Sequence, residues 1–323
     1  MKQGEDMKKV VIFGGGTGLS QVLKGLKDFP VDVTAIVTVA DNGRSTGKLR
    51  NEFNIPAVGD LTKVLLAMAN TDKDIIELMD YRFEKGSTLE SHSIKNLIMT
   101  SLLELKGDFK HSIPIMAKML NIKGTILPIT EENVNLVGIT KKGERIVGEE
   151  EITKDSRKIV KVEYDKKIKL SQDISRAIKN ADLIIFSSGS LLTSVIPNLL
   201  VDGIVEEINN AKAKKMYICN LVTQPGETDG FKVSDHIKFL QKYLGNKSID
   251  SVIANDAKIS SYIAKKYSSL EQKDPVKVDD STLKKMGVEV IKDKLWKIEN
   301  NVLRHDSLKV AYLIFSYMMD NEL

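Results

Sequence analysis

Val10-Val11-Ile12-Phe13-Gly14-Gly15-Gly16-Thr17-Gly18 runs from four apolar, strand-forming residues into a glycine turn, and Leu19, Val22, Leu23 and Leu26 then recur at helical spacing. Strand, turn and helix follow one another. A second apolar, β-branched run over 33–40 is of the kind buried on both faces of a parallel sheet, so residues 9–40 read as one right-handed βαβ unit. The second strand delivers Asp41-Asn42-Gly43-Arg44-Ser45-Thr46-Gly47, read as a turn, to the same carboxyl edge as the first glycines. In open parallel sheets ligands bind at that edge.

Outward from this unit, residues 55–120 read mostly as helices, with apolar faces over 61–69, 75–83 and 93–105 that form a lobe above the strand edge. Short strands at 125–127 and 134–139 precede a charged segment, 140–170. Ile146, Val147, Ile152, Ile159, Val160 and Val162 still supply apolar faces there, so it reads as a polar hairpin insertion. The βα rhythm returns with a helix at 174–179, a strand at 183–186, the turn Ser187-Ser188-Gly189-Ser190, and a helix at 199–208 interrupted near its start by Pro197. A strand at 215–219, a loop at 220–230, a helix at 234–244 and a strand at 251–254 continue it. A charged, less regular stretch to Ile298 leads to Arg304-His305-Asp306 and a closing amphipathic helix at 307–319. There is no solenoid period and no low-complexity linker, so a single doubly wound α/β domain over 1–323 is expected.

Composition narrows the function classes. Across 323 residues, 48 Lys and Arg face 44 Asp and Glu with both signs interspersed, unlike the concentrated basic stripe of a nucleic-acid binder. Cys219 is the one cysteine, which excludes an internal disulfide, and its run Met216-Tyr217-Ile218-Cys219 makes it a small buried hydrophobe. Residues 1–9 are polar and carry no leader-like apolar core, and no stretch approaches the ~20 apolar residues of a spanning helix. A cytoplasmic protein with neither membrane nor nucleic acid as partner is expected. The four histidines lack zinc spacing, so no metal cluster is expected from them.

The chemistry gathers in four loops. Glycines before a helix N-terminus suit an anion, although the dinucleotide fingerprint is broken after Gly16 and Gly18 and the Walker lysine is missing. Asp41 can hold a ribose hydroxyl, orient a hydroxyl nucleophile, or bind Mg²⁺ together with a diphosphate; a plain turn is the bland alternative. Ser187 to Ser190 offers hydroxyls and N–H groups to a second phosphate or sugar, or else a helix cap. Asn220, Thr223, Gln224 and Thr228 form a polar set suited to a base or sugar. Tyr267 could stack on a base and Arg304 could pair with a phosphate, against core packing and a surface ion pair.

Taken in order, Gly14 to Gly18, Asp41 to Gly47, Ile55-Pro56-Ala57-Val58-Gly59-Asp60, the segments 191–200 and 220–228, and Arg304-His305-Asp306 make the chain resemble the YvcK family of gluconeogenesis factors, relatives of the CofD 2-phospho-L-lactate transferases. The resemblance runs from about Lys9 to the end of the chain. It implies a Rossmann-like three-layer sandwich with a parallel-rich sheet, a helical lobe around 55–120 and a charged β-hairpin insertion around 140–170. It also implies a cytoplasmic, non-catalytic or weakly catalytic regulator that binds UDP-N-acetylglucosamine or a related nucleotide sugar, linked to carbon allocation, cell-wall synthesis and cell shape. Gly15, Gly16, Thr17 and Gly18 would take the diphosphate, with Asp41, Asn42, Ser45 and Ser190 at sugar or phosphate. Asn220, Thr223 and Gln224 would read base or sugar, helped by Tyr267 and Arg304. Two alternatives stand beside this reading: a Mg²⁺-dependent phospholactyl-type transferase in which Asp41 assists an attacking hydroxyl, and a nicotinamide-dependent oxidoreductase. Where the family has Gly-His-Ser-x-Gly-Asn-Leu and Gly-Pro-Gly-Ser, this chain has Ser91-His92-Ser93-Ile94-Lys95-Asn96-Leu97 and Ser187-Ser188-Gly189-Ser190. Size and lobed architecture are compatible with self-association.

Overall fold

The computed structural model describes residues 7–155, 157–245, 249–260, 262–263, 267 and 272–323; the Arg44 side chain lies outside the described set. The opening unit forms as its pattern predicts. β1 (Lys8–Gly14), α1 (Gly16–Leu26) and β2 (Val31–Val37) build it, with Val10, Ile12 and Phe13 fully buried and Val10 paired with Val33 in a parallel ladder. Near-continuous apolar strands are what a sheet covered on both faces requires.

Five helices follow before the next strand: α2 (Arg44–Phe53), α3 (Gly59–Met68), α4 (Lys73–Asp80), α5 (Ile94–Lys106) and α6 (Phe109–Met119). The segment 41–47 is therefore more than a turn, because α2 starts inside it. The helix expected to reach Phe83 stops at Asp80, since residues 81–83 pair back instead: the Phe83 N–H donates to the His92 carbonyl at 3.0 Å. β3 (Thr125–Pro128) then pairs with β2 and ends the sheet on that side.

The insertion is richer than a hairpin. β4 (Leu136–Thr140), β5 (Arg145–Val147) and β6 (Ile159–Tyr164) form an antiparallel sheet in the order β5-β4-β6, with α7 (Glu149–Lys154) between β5 and β6. Ile146, Ile152, Ile159 and Val162 are buried, while Val147 and Val160 are exposed. After α8 (Gln172–Lys179), β7 (Leu183–Phe186) returns to the main sheet on the opposite side of β1 from β2. No continuous helix runs over 199–208. A π turn, Leu191–Val195, and a 3₁₀ turn, Ile196–Leu199, come first, and α9 (Ile204–Asn210) begins only after Gly203 at φ +90°. Pro197, lacking an N–H, and the left-handed Gly203 divide the segment.

β8 (Lys214–Ile218), α10 (Val233–Tyr243), β9 (Ser251–Asn255), α11 (Asp280–Lys285) and β10 (Glu289–Asp293) complete a seven-stranded parallel sheet in the order β10-β9-β8-β7-β1-β2-β3. β10 lies in the stretch read from sequence as irregular. As an edge strand it exposes Glu289 and Lys292, so it carries none of the apolar continuity of the inner strands. A two-stranded ribbon, β11 (Trp296–Glu299) and β12 (Val302–His305), leads into α12 (Ser307–Asp320), which packs on α1.

That last contact depends on Gly25. A Cβ there would lie 2.0 Å from the Ser307 carbonyl oxygen, so only glycine lets α1 meet the start of α12. Gly25→Ala is expected to destabilise the fold by about 1–3 kcal/mol through overpacking, read as a lower urea midpoint at unchanged m-value.

Candidate functional site

Strand order reverses at β1: the chain first builds outward through β2 and β3, then returns on the other side at β7. Such a switch point opens a crevice at the carboxyl ends of the two strands. The turn after β1, the loop after β7 and the loop after β8 meet there. A cavity of about 230 Å³ lies between them, lined by the sequence-predicted residues Thr17, Gly18, Ser190, Asn220, Thr223, Gln224 and Arg304, together with Ser188, Lys273 and His305. A cavity of about 840 Å³ lies elsewhere, beside β3, but none of these loops reaches it.

Hydrogen bonds internal to the protein shape the crevice. The Gly189 N–H donates to Asn220 Oδ1 at 2.8 Å and Asn220 Nδ2 donates to the Gly189 carbonyl at 2.7 Å, so the Asn220 amide ties two loops together. Ser190 Oγ donates to Glu227 Oε2 at 2.6 Å, and Glu227 Oε1 accepts from the Leu191 N–H and, at 3.3 Å, the Leu192 N–H. Glu227 thus holds the place at this helical N-terminus that an external anion would take. Burial pushes its carboxyl up to about 7, despite those donors. Thr223 Oγ1 accepts from the Asp274 N–H at 2.9 Å, and the Tyr267 hydroxyl accepts from the Leu303 N–H at 2.7 Å. Tyr267 is buried and does not line the crevice; its ring packs in the core.

Three groups face the crevice with capacity to spare. The Arg304 side chain makes no ion pair or hydrogen bond among the described residues. Ser188 Oγ is buried with no partner among them. His305 Nε2 contacts the Cys219 carbonyl at 3.1 Å, and burial lowers its pKa to about 4. The ring is therefore neutral at pH 7; with Nε2–H donating, Nδ1 is left as an acceptor.

The other predicted residues gather on the β2 side of the same edge. Gly15 and Gly16 face Asp60: a Cβ on Gly16, which sits at φ +37°, would lie 2.5 Å from Asp60 Oδ1. Gly59 likewise leaves room for Asp41, whose Oδ2 would be 2.6 Å from a Cβ there. Lys63 Nζ lies 3.3 Å from Asp60 Oδ1. Burial raises the Asp60 pKa, and Asp41 adds to the rise against the pull of Lys63. Glu149, brought by α7, is pushed up to about 7 by burial and by the charges of Asp41 and Asp60. Asn42 docks the insertion here, accepting from the Glu150 N–H and donating to Glu151, both at 2.8 Å. Ser45 is buried, with Oγ 3.0 Å from His92 Nδ1 and within 3.3 Å of the Asn96 amide nitrogen. Arg50 Nη1 holds the Asp41 carbonyl at 3.3 Å while its Nη2 bonds Asn133, Val134 and Asn135. Lys95 turns away to pair with Asp80.

Sequence reading assigned no role to Glu149, Glu227, Lys63 or Arg50. For Glu227 a signal existed in Pro225-Gly226-Glu227-Thr228, a carboxylate in a turn beyond a strand. Glu149 stands in a run of three glutamates that reads as a solvated helix start, and nothing local distinguishes the one that turns inward.

Comparison with known proteins adds an independent line. The pattern of the family described as 2-phospho-L-lactate transferase CofD matches residues 10–296. The chain is 44% identical to the "Gluconeogenesis factor" of Bacillus subtilis (strain 168) over 97% of its own length and 98% of that protein. It is 43% identical to the protein of the same name from Halalkalibacterium halodurans, covering 95% of each. A crystal structure from Bacillus halodurans, described as a member of the upf0052 family, superposes with a TM-score of 0.91 at 42% identity, covering 97% of this chain and all of that one.

The two glutamates raised to about 7 make stability depend on pH. Glu149 and Glu227 stand at about 7 in the folded chain against an ordinary 4.5, so between those values the folded state holds protons that the unfolded chain has released. Their contribution is complete below about 4.5 and is lost as pH rises through about 7. The unfolding midpoint should accordingly fall across that window, and a Glu149→Gln, Glu227→Gln double variant should show a flatter profile in thermal melts taken against pH.

Proposed function

The chain belongs to the 2-phospho-L-lactate transferase CofD family, and from that premise we propose that it is a regulator whose switch-point crevice binds a nucleotide-diphosphate sugar, UDP-N-acetylglucosamine by preference. The observation that carries this reading is the convergence on one crevice of Arg304 and the Ser188 hydroxyl, both without a partner among the described residues, and the amides of the α1 first turn. An oriented guanidinium, hydroxyls and N–H groups are what a diphosphate takes as donors. At about 230 Å³ the crevice is smaller than the roughly 300–1,000 Å³ of pockets that enclose a whole ligand, so one end of an extended molecule enters it and the rest lies along the strand edge. Carbon allocation, cell-wall synthesis and cell shape are the processes such a regulator would serve, and the cytoplasm is where it would meet the ligand.

A transferase is the second reading, and the carboxylates of Asp41, Asp60 and Glu149 favour it. Among the described residues no His, Cys, Asp or Glu group is spaced to hold a metal ion by itself. Mg²⁺ characteristically takes only one or two carboxylates and completes its shell from phosphate oxygens and water. An ion arriving on the diphosphate could be met by Asp41 and Asp60, and it would supply charge neutralisation there. Asp41 would in that case orient the attacking hydroxyl.

Isothermal titration separates the readings. UDP-N-acetylglucosamine should bind with or without Mg²⁺, and Arg304→Ala should weaken it by about tenfold or more, as expected for a lost charge-assisted contact, with the melting temperature unchanged. Unaltered affinity in that variant removes Arg304 from the site. Mg²⁺-dependent consumption of a nucleotide-diphosphate substrate shifts the assignment to the transferase.

A further inference from the structure

The cavity of about 840 Å³ beside β3 shares no residue with the switch-point crevice and sits at the opposite edge of the sheet from β10. α6 forms one wall, β3 the floor, and the residues leading into α8 the other wall. Phe109, Ile113, Ile122, Ile126 and Leu127 give it an apolar lining, and its volume falls within the roughly 300–1,000 Å³ range of small-molecule pockets.

Its rim is cationic. Lys110, Lys118 and Lys169 line the cavity, are exposed, and form no ion pair among the described residues. The acidic groups in the wall are already engaged: Glu131 accepts from the N–H groups of Phe109 and Lys110, both at 3.1 Å, and Asp173 lies 3.5 Å from Arg176. An excess of positive charge over an apolar floor is complementary to a molecule with an apolar body and an acidic group.

The backbone decides between a small molecule and an added strand. The Ile129 N–H donates to the Val37 carbonyl at 2.8 Å, so by the alternation of a parallel ladder Leu127 and Ile129 turn to β2, while Ile126 and Pro128 face the open edge. Pro128 has no N–H. The edge therefore offers the single N–H of Ile126, too little to seat another strand, and proline is a common way of blunting an edge.

We propose that this cavity is a second binding site, for a small amphiphilic anion whose apolar body lies on Ala117, Ile122 and Leu127 and whose acidic group sits among the three lysines. It is independent of the nucleotide-sugar reading.

The probe is 8-anilinonaphthalene-1-sulfonate, which carries both features, compared with N-phenyl-1-naphthylamine, which lacks the sulfonate. Fluorescence titration of the full chain should show one saturable class of site for the sulfonate, bound more tightly than the neutral dye. Ala117→Trp should abolish it by filling the cavity. Lys118→Glu with Lys169→Glu should weaken the sulfonate by about fivefold or more, the scale of partly screened charge pairs, and leave the neutral dye unchanged. Both lysines are exposed, so this second variant carries the test if the tryptophan variant does not fold. Equal binding of the two dyes, or sulfonate affinity unchanged in either variant, overturns the proposal. UDP-N-acetylglucosamine titration of the same variants should match the unmodified chain, so failure here leaves the crevice assignment untouched.

Discussion

The backbone of Ser188 and Gly189 is gripped from both sides, and the geometry of the whole carboxyl edge depends on that grip. On one side Gly18 lies so close that a Cβ would stand 1.9 Å from the Ser188 carbonyl oxygen. On the other, the Asn220 amide makes both a donor and an acceptor bond with Gly189. Three loops following three different strands thus become one rigid unit. These internal bonds hold the crevice in shape, which would spare the proposed site the ordering cost that a flexible one incurs on binding.

The same packing reassigns the charges of the loops. Helix N-termini attract anions, and at this edge two of them are satisfied from within: Asp60 lies against the start of α1, and Glu227 takes the amides of Leu191 and Leu192. Both carboxyls are raised by burial, so each is held in place against the cost of desolvating its charge. Among the described residues, what remains open at this edge is the Arg304 guanidinium and the Ser188 hydroxyl with the amides near Thr17 and Gly18, the donors on which the proposed anion recognition rests. The missing Cβ at Gly16 and Gly18 also makes room for the protein's own groups, Asp60 and the Ser188 carbonyl.

Elements were legible where burial imposes a single requirement. β1, β2, β7, β8 and β9 each carry a largely apolar, buried stretch, and α1 and α12 carry apolar residues at helical spacing, so each stood out locally. β10 did not, because an edge strand needs no apolar face toward solvent. The segment 199–208 was misread because its apolar residues suit a helix while Pro197 and Gly203 interrupt the ladder. Thr17, Ser190 and Gln224 line the crevice as expected of residues that follow a strand's carboxyl end, whereas Arg304 reaches it from within β12. The orientation of Tyr267, whose hydroxyl pins the Leu303 N–H, could not be read from its neighbours.

By itself the sequence determined the βα rhythm, the parallel strands and the carboxyl edge at which polar loops would collect, because apolar continuity and glycine position are local properties that burial and backbone sterics translate directly into strands and turns. Tertiary structure alone decided which side chains remain available there. Whether Asn220, Glu227 or Asp60 meets a ligand or a neighbouring loop depends on partners 31 residues away for the Gly189–Asn220 bond, and 36 for the Leu191–Glu227 bond. A hydrogen-bonding group satisfied by such a distant partner looks no different in the chain from one left free, and only the packed fold distinguishes them.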